Sequence, residues 1–454
     1  MRFRFDELAF QTVYWYPDID LDELDRRYGR DVMERIHVHS ALFEVNKLAS
    51  LRPRVLDLGP YARHHTQALQ QLWRAVYRGV WAQWRYENDL PDEPGPVWHG
   101  EPVAAHAQPV ARDHRSDAVL LFCGGGKDSL VAMKLLERAE VPFASHAYAA
   151  STYGPAAPQL ALIDGLLGHS AARARHRQIV LDDFFDAPVL DLYGAELGVH
   201  TLTAAETPSS VFAALPILLA RGYTHAVLGH EASANRGNLV WARTGEEINH
   251  QWGKSLAAEC LLDAYIRDEL IADAGIFSVL MPIHDVVIFE LLRRDLDALA
   301  ATHSCNQRKP WCCRCAKCAY VWLGYRAHLP AAPVTSMFSE DLLEVPANAA
   351  YFRDLVGLGA HTPFECVGQV EESRLALRLC QARGLLAPAG AALAQSLPDL
   401  DLASLLDRFL AVDMAQARIP ASIASGIESQ IRSAATSARE RITTLLPTSR
   451  RLAP

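Results

Sequence analysis

The sequence lacks the charge excess and the long apolar runs that would place it among nucleic-acid-binding or membrane proteins. Its 454 residues include 44 lysines and arginines against 53 aspartates and glutamates, which gives a net charge of -9 at pH 7. A general nucleic-acid binder carries a basic excess, so we expect no nucleic-acid partner. No apolar run approaches the roughly 20 residues that a membrane-spanning helix needs, so we expect no membrane partner either.

The first residues also lack the features of a secretory signal. Residues 1–7 contain acidic side chains and show no apolar core of the kind that a signal peptide requires. Of the nine cysteines, five lie between residues 305 and 318. Such clustering is typical of metal binding in a reducing compartment and not of a disulfide framework, and we predict a cytoplasmic protein.

Length and composition predict an α/β protein of two or three domains. Half of the residues are hydrophobic, which is ample for sizeable cores. We divide the chain into a mixed, mainly helical N-terminal region (residues 1–115), a middle region (residues 116–330) and a helical C-terminal region (residues 331–454). Within the last region, the polar tail from residue 432 onward is expected to be loosely ordered.

The middle region carries alternating strand and helix patterns. Apolar runs predict strands at residues 118–123, 143–150, 178–181, 226–229 and 277–281, with helices predicted at residues 128–139, 159–167 and 211–221. This alternation is typical of a parallel sheet with helices on both faces. Ligands of such sheets bind beyond the carboxyl ends of the strands, and a glycine-rich loop follows the first predicted strand.

That loop reads Gly-Gly-Gly-Lys-Asp-Ser, and it differs from the two commonest nucleotide loops. The P-loop needs Ser or Thr directly after Gly-Lys, where this chain has Asp128. The dinucleotide fingerprint needs a third glycine, where this chain has Ser129. The glycines nevertheless allow a close approach of the backbone to a ligand, and the helix that starts near Asp128 presents free N–H groups to an anion.

The residue types in the loop predict a phosphate site that contains a cation. Ser129 offers a hydroxyl donor and Lys127 a point charge, whereas Asp128 would repel phosphate unless Mg²⁺ lay between them. The alternative is a tight strand–helix turn in which Asp128 only caps the helix. The predicted phosphate-binding residues are Gly124, Gly125, Gly126, Lys127, Asp128 and Ser129.

A second motif consists of four cysteines with the spacing C-x6-C-x2-C-x2-C, formed by Cys305, Cys312, Cys315 and Cys318. Four thiolates this close together suit tetrahedral Zn²⁺ and leave no open position for water, which predicts a structural zinc site. An iron–sulfur cluster also uses four thiolates and is the alternative. Cys313 is left over as a spare thiol.

Two polar segments follow the predicted strand at residues 226–229. The first contains His230 and Glu231, and the second contains His250 and Lys254. If the second segment is helical, His250 and Lys254 share one face, because they are four residues apart. Side chains of these types are the usual general acids and bases, although each of them could equally be an ordinary solvated residue.

The glycine-rich loop resembles the pyrophosphate loop of the ATP pyrophosphatases, or PP-loop enzymes, in which the usual motif is Ser-Gly-Gly-x-Asp-Ser. Gly124 stands here in place of the first serine. The deazaguanine nitrile synthases, which share that loop, have a similar four-cysteine zinc site. The resemblance implies a HUP-like α/β core that binds ATP and Mg²⁺ and transfers AMP to a substrate with release of diphosphate.

Five motifs together resemble the UDP-N-acetylmuramoyl-L-alanyl-L-glutamate epimerases. They are Gly-Gly-Gly-Lys-Asp-Ser-Leu-Val, Gly-His-Glu-Ala-Ser-Ala-Asn, Asn-His-Gln-Trp-Gly-Lys-Ser, the four-cysteine segment and Pro-Phe-Glu-Cys-Val-Gly at residues 363–368. The resemblance implies ATP- and Mg²⁺-dependent inversion of the terminal L-glutamate of UDP-MurNAc-L-Ala-L-Glu, a peptidoglycan precursor. It also implies a functional link to a Mur ligase that adds L-glutamate.

The chemistry of that reaction suits the residues. Adenylation removes the charge of the glutamate carboxylate and so acidifies the α-hydrogen, and each pKa unit gained is worth about 1.4 kcal/mol. A base then removes the proton from one face, and an acid returns a proton to the other. Our hypothesis is that two groups among His230, Glu231, His250 and Lys254 serve as base and acid, with Cys366 as a weaker candidate.

Two other functions are compatible with the motifs. Another PP-loop enzyme could adenylate a small molecule or tRNA for amidation or thiolation, although the acidic balance disfavours tRNA. A nucleotide-binding module stabilised by zinc, without catalysis, is the third interpretation. Formation of AMP with a particular carboxylate substrate would distinguish the three.

Overall fold

The computed structural model describes residues 1–104 and 108–446 of the chain. Within these ranges the strands are β1 (Arg2–Phe5), β2 (Leu8–Trp15), β3 (Val55–Leu56), β4 (Val97–Trp98), β5 (Val119–Phe122), β6 (Phe143–Ala150), β7 (Arg175–Asp182), β8 (His225–Glu231), β9 (Leu239–Trp241), β10 (Glu246–Ile248) and β11 (Gly275–Leu280).

The α-helices in the same ranges alternate with these strands up to β11 and then follow one another without further strands. They are α1 (Leu21–Tyr28), α2 (Arg30–Val45), α3 (Gln67–Glu87), α4 (Lys127–Arg138), α5 (Ala156–Leu167), α6 (Val189–Leu197), α7 (Glu206–Arg221), α8 (Leu256–Tyr265), α9 (Asp285–Leu292), α10 (Leu296–Leu299), α11 (Ala316–His328), α12 (Ala331–Met337), α13 (Ala349–Leu355), α14 (Val370–Ala382), α15 (Pro388–Gln395), α16 (Leu402–Phe409) and α17 (Ala421–Leu445).

The main sheet has seven strands within the described residues, in the order β1-β2-β7-β6-β5-β8-β11. Five neighbouring strands of this sheet, β7, β6, β5, β8 and β11, run parallel to one another. This confirms the predicted parallel sheet. The N-terminal region, predicted to be mainly helical, adds an antiparallel edge, because β2 pairs with β7 and β1 with β2. β2 alternates buried Phe10 and Thr12 with more exposed neighbours, the pattern of a strand with only one covered face.

The order of the parallel strands creates a crevice between β5 and β8. From β5 the chain builds outward to β6 and β7 on one side, and then returns to add β8 and β11 on the other. Strand order therefore reverses between β5 and β8, and in open α/β sheets ligands bind at this switch point, outside the carboxyl ends of the strands. The glycine-rich loop leaves β5 there, and Glu231 is the last residue of β8.

Helices cover both faces of the sheet, as predicted, and each face has its own core. Along β5, Leu120 packs into a core shared with α2, α3 and α7. The next residue, Leu121, packs into a core shared with α4, α9, α11 and α17. Because both faces are covered, β5 is a continuous apolar run. The N-terminal helices thus lie on one face and the C-terminal helices on the other.

The C-terminal tail is better ordered than its composition predicts. Up to Leu445 it belongs to α17, whose Ile427, Ile431 and Ile442 are fully buried against the second core. The prediction of a loose tail is wrong for this part because a stripe of small and apolar residues recurs at helical spacing; residues 447–454 lie outside the described residues. In the part of the chain that the structure describes, every helix is too short or too polar to cross a membrane.

Candidate active site at the carboxyl edge of the sheet

The glycine-rich loop presents backbone N–H groups at the switch point. Gly125 has a φ of 84°, and a Cβ added there would lie 2.2 Å from the His303 ring, so only glycine fits without a shift. Gly126 is the N-cap of α4 and has no side chain to cap the helix, which leaves the N–H groups of the first turn for an anion. Asp128 lies in that first turn and is not the residue that caps the helix.

His303 adds a buried polar group against the loop that the sequence reasoning did not single out. It is 2 % exposed, and its backbone N–H donates to the Gly125 carbonyl at 2.8 Å. Among the described residues neither of its ring nitrogens has a hydrogen-bond partner. Burial lowers the pKa of His303 to about 4, so the ring is neutral and keeps one N–H donor. The loop, the helix N-terminus and this orphaned donor fit a bound phosphate.

Lys127 does not present a free charge. Its side chain is 2 % exposed, and its ammonium group donates to Asp128 at 2.6 Å and to Asp285. Burial opposes the charged form, but the two carboxylates outweigh it and raise the pKa of Lys127 above its ordinary value. Lys127 therefore neutralises carboxylates beside the loop, a role that its position in the motif did not reveal.

Asp285, Glu231 and Glu372 form what we call the carboxylate cluster, with Lys127 beside it. All three are less than 9 % exposed. Tyr320 donates to Asp285 at 2.6 Å, Ser233 donates its backbone N–H to Glu231 at 2.6 Å, and the Ser233 hydroxyl donates to Glu372 at 2.9 Å.

The carboxylate cluster holds more acids than its single lysine can neutralise. Burial and the nearby Asp285 raise the pKa of Glu372 to about 7, and burial with both other carboxylates raises the pKa of Glu231 well above its ordinary value. Asp285 is also buried, but Lys127 keeps its pKa below the ordinary value. Burial and mutual repulsion therefore favour the protonated forms of Glu231 and Glu372, and this edge can donate as well as accept protons.

Cys366, Lys254 and His250 form the second group at this edge, which we call the thiol cluster. The Lys254 ammonium lies 2.8 Å from the Cys366 sulfur. His250 lies close enough to that sulfur to stabilise its charged form, and Lys317 donates to the Cys366 carbonyl. Burial alone would favour the neutral thiol, but these neighbours, Lys254 foremost, hold the pKa of Cys366 well below its ordinary value.

The structure brings His250 and Lys254 together, but not on the predicted helix. Trp252–Lys254 is a single 3₁₀ turn, and the following helix α8 begins only at Leu256. Ser255 is the reason, since its side chain caps α8 by accepting from the Ala258 N–H and fixes the helix start beyond Lys254. The two side chains meet through their shared partner Cys366.

The two predicted polar segments contact one another. Asn249 donates to the Ala234 carbonyl at 2.9 Å, and Asn235 accepts from the Leu256 N–H at 2.8 Å. His230, at the end of β8, lies within electrostatic reach of Lys254, and burial lowers its pKa to about 3, so it is neutral. Gly229 packs against the backbone of Asp128, which places the segment after β8 beside the loop.

The four predicted cysteine ligands converge on one point. Their sulfur atoms all lie within 4.8 Å of one another, with Cys305 and Cys315 4.0 Å apart and Cys312 and Cys318 3.8 Å apart. A tetrahedron with zinc–sulfur bonds of about 2.3 Å has edges of about 3.8 Å. Cys313 stays outside the group. Backbone N–H groups also point at the sulfurs of Cys305, Cys312 and Cys315, as expected around charged thiolate ligands.

The cysteine segment ties the loop to the thiol cluster. It starts at His303 against Gly125, and Asn306 donates to Glu365 at 2.9 Å. Beyond Cys366 the chain reaches Gly368, where a Cβ would lie 2.1 Å from the Tyr320 hydroxyl and 2.7 Å from Glu372. The segment at residues 363–372 therefore runs from the thiol cluster to the carboxylate cluster.

Sequence reasoning missed Asp285, Tyr320 and Glu372. Asp285 could have been found from the sequence, because it follows the predicted strand at residues 277–281 and is therefore expected at the same edge of the sheet. Tyr320 and Glu372 lie on α11 and α14, where a polar residue in an amphipathic helix has no distinguishing mark. Only the packing of these helices against the sheet brings them to the site.

Comparison with known proteins agrees with this arrangement. The MurL N-terminal domain matches residues 40–156 and 202–279, and the MurL C-terminal domain matches residues 299–395. Together the matched ranges contain the glycine-rich loop, both polar segments, the four cysteines and Cys366.

Three similar proteins are each named UDP-N-acetyl-alpha-D-muramoyl-L-alanyl-L-glutamate epimerase. The protein of a Micromonospora species is 32 % identical over 361 residues, which cover 77 % of this chain and 74 % of the relative. That of Salinispora tropica is 31 % identical over 398 residues, covering 83 % and 79 %. That of Xanthomonas oryzae pv. oryzae is 29 % identical over 329 residues, covering 69 % and 67 %.

The identity and coverage of these matches, over the segments that build the carboxyl edge, show that the protein is an epimerase and that it belongs to the MurL family.

Proposed function

We propose that this protein inverts the terminal L-glutamate of UDP-MurNAc-L-Ala-L-Glu to D-glutamate through an acyl-adenylate, consuming ATP and releasing AMP and diphosphate. The names of its relatives support the substrate. The observation that carries the mechanism is the glycine-rich loop at the switch point, open to an anion, with two clusters of proton-transfer groups along the same edge. Under this proposal the sheet is a PP-loop core.

The chemistry assigns a separate task to each part of the edge. The loop and the N-terminus of α4 would hold the phosphates of ATP while the glutamate carboxylate attacks the α-phosphorus. The acyl-adenylate then carries no charge on its acyl group, so the α-hydrogen becomes acidic enough for a side-chain base. Water finally cleaves the mixed anhydride, and the use of ATP gives the inversion its direction.

Two metal ions belong to the proposal. Asp128, the only carboxylate in the loop motif, would bind Mg²⁺, which neutralises phosphate charge. Cys305, Cys312, Cys315 and Cys318 would bind a structural Zn²⁺, since their spacing suits one tetrahedral ion. An iron–sulfur cluster is disfavoured, because several irons would hold the sulfurs further apart.

The predicted acid and base candidates fall into two pairs. His230 and Glu231 end β8 beside the loop, while His250 and Lys254 belong to the thiol cluster. Burial opposes the charge of Lys254, but Cys366 raises its pKa above the ordinary value, so Lys254 remains a cation and is a poor base. We keep all four as proposed proton-transfer or positioning residues. A Mur ligase that adds L-glutamate would supply the substrate.

The test is product analysis in D₂O with ATP, Mg²⁺ and UDP-MurNAc-L-Ala-L-Glu. We expect AMP, diphosphate, deuterium at the glutamate α-carbon and D-glutamate in the product to appear together. If AMP forms with some other carboxylate and not with this substrate, the proposed substrate is wrong and the proposed adenylation stands. No AMP with any carboxylate would overturn the mechanism and favour a nucleotide-binding module.

A further inference from the structure

The thiol cluster places the Cys366 sulfur next to an ammonium group. As a residue Cys366 is half-buried, whereas Cys123, which directly follows β5, is 2 % exposed. A cysteine that serves only packing is buried and far from cations. Cys366 instead lies 2.8 Å from an ammonium group.

The orientation of His250 is fixed by the N-terminal region. Gln83 on α3 donates its amide N–H to Glu87 at 2.9 Å, so its carbonyl oxygen is the atom that faces His250. A carbonyl oxygen can only accept, so His250 Nδ1, 2.7 Å away, carries the proton. The other ring nitrogen is then the one left to face Cys366.

Cationic and acidic groups both surround Cys366, and a cation is the one in contact with its sulfur. Lys254 donates to the sulfur and Lys317 to the carbonyl, while His250, Tyr148, Tyr153 and Glu365 lie within electrostatic reach. Burial and the negative charge of Glu206 raise the pKa of Tyr153 above its ordinary value, so this phenol stays protonated. The tyrosines can therefore donate a proton but not accept one at neutral pH.

We propose that the Cys366 sulfur is the base that removes the α-proton of the activated glutamate, with Lys254 and His250 as its positioning residues. The proposal rests on the proposed function. The proton moves from the α-carbon to the sulfur, and the C–H electron pair moves to the acyl oxygen to give the enolate of the adenylate. A second acid protonates the opposite face of the α-carbon, the electron pair returns, and water then cleaves the anhydride.

The first experiment compares wild-type protein with Cys366→Ser and with the control Cys260→Ser, using the full chain, ATP, Mg²⁺ and UDP-MurNAc-L-Ala-L-Glu in D₂O. A general base contributes roughly 10²- to 10⁴-fold, so we expect Cys366→Ser to lose about 10³-fold in α-deuterium incorporation while still forming AMP. Continued AMP formation also shows that the variant is folded. Cys260→Ser should match the wild type in both measurements.

Failure of this proposal and failure of the proposed function give different results. If the wild type forms no AMP, the proposed function falls, and this assignment falls with it. If the wild type forms AMP and exchanges deuterium, and Cys366→Ser exchanges at the same rate, only the role of Cys366 is overturned. Loss of exchange with AMP retained supports both.

A second measurement tests the positioning role of Lys254 in the absence of substrate. Alkylation of Cys366 by iodoacetamide, followed by peptide mass spectrometry between pH 5 and 9, should be fast already at pH 6 in the wild type. Lys254→Met removes the nearest cation and so raises the pKa of the Cys366 thiol. The alkylation rate of this variant should therefore rise only at higher pH, because less of the thiol is ionised at pH 6. Cys260 in the same samples is the internal comparison. An unchanged profile in Lys254→Met would overturn the role of Lys254.

Discussion

The carboxylate cluster and the thiol cluster lie on the same sheet edge, joined by the segment at residues 363–372, but their electrostatics are opposite. The first holds three buried acids beside one lysine, and burial with mutual repulsion raises the pKa of Glu231 and Glu372. The second holds one acid, the Cys366 thiol, among cations that lower its pKa. One end of the edge thus retains protons and the other releases them, which suits a reaction that removes a proton and returns one.

Metal loss should disturb both clusters at once, because the cysteine segment contacts Gly125 at one end and Cys366 at the other. Cys305→Ser removes one of four ligands, and we expect zinc content to fall from about one ion per chain to a small fraction, with stability falling by on the order of 5 kcal/mol or more. Metal analysis and thermal unfolding measure this. Cys313→Ser, outside the ligand group, is the matched control; equal zinc loss in both variants would contradict the ligand assignment.

A change in the loop should act first where the loop packs against His303. In Gly125→Ala the new Cβ meets the His303 ring at 2.2 Å, and the φ of 84° is strained for alanine. We expect a loss of about 4 kcal/mol in the free energy of unfolding, with weaker ATP binding, measured by urea unfolding and calorimetry. Gly124→Ala, where nothing lies within 4 Å of the added Cβ, should keep wild-type stability. Wild-type stability in Gly125→Ala would show that the loop adapts.

The smallest effect on stability should come from replacing one of the three buried acids of the carboxylate cluster. The pKa of Glu372 is raised from an ordinary 4.5 to about 7, so the contribution of this group to stability is fully present below pH 4.5 and falls by up to about 3 kcal/mol as the pH rises through 7. Glu372→Gln has no such group, and its unfolding free energy should fall less between pH 5 and pH 8. Glu371→Gln, whose side chain is 43 % exposed, is the control. Parallel pH profiles for wild type and Glu372→Gln would refute the raised pKa.

Local patterns in the sequence predicted the elements that depend on neighbouring residues. The strand predicted at residues 143–150 coincides with β6, and the helix predicted at residues 128–139 differs from α4 by one residue at each end. The four cysteines were found from spacing alone, because ligands of one ion must be close. The β1–β2 edge was missed, since the sheet partner of β2, β7, lies more than 150 residues away.

What the sequence determined by itself is the alternation of strands and helices in the core, the glycine-rich loop that follows its first strand and the cysteine motif, because each is set by a pattern within a short segment. What only the tertiary structure decided is which distant groups share a site. Lys127 meets Asp285 across 158 positions, and Lys254 meets Cys366 across 112. Such pairs depend on strand order and helix packing, and the sign of a pKa shift depends on which charges that packing buries together.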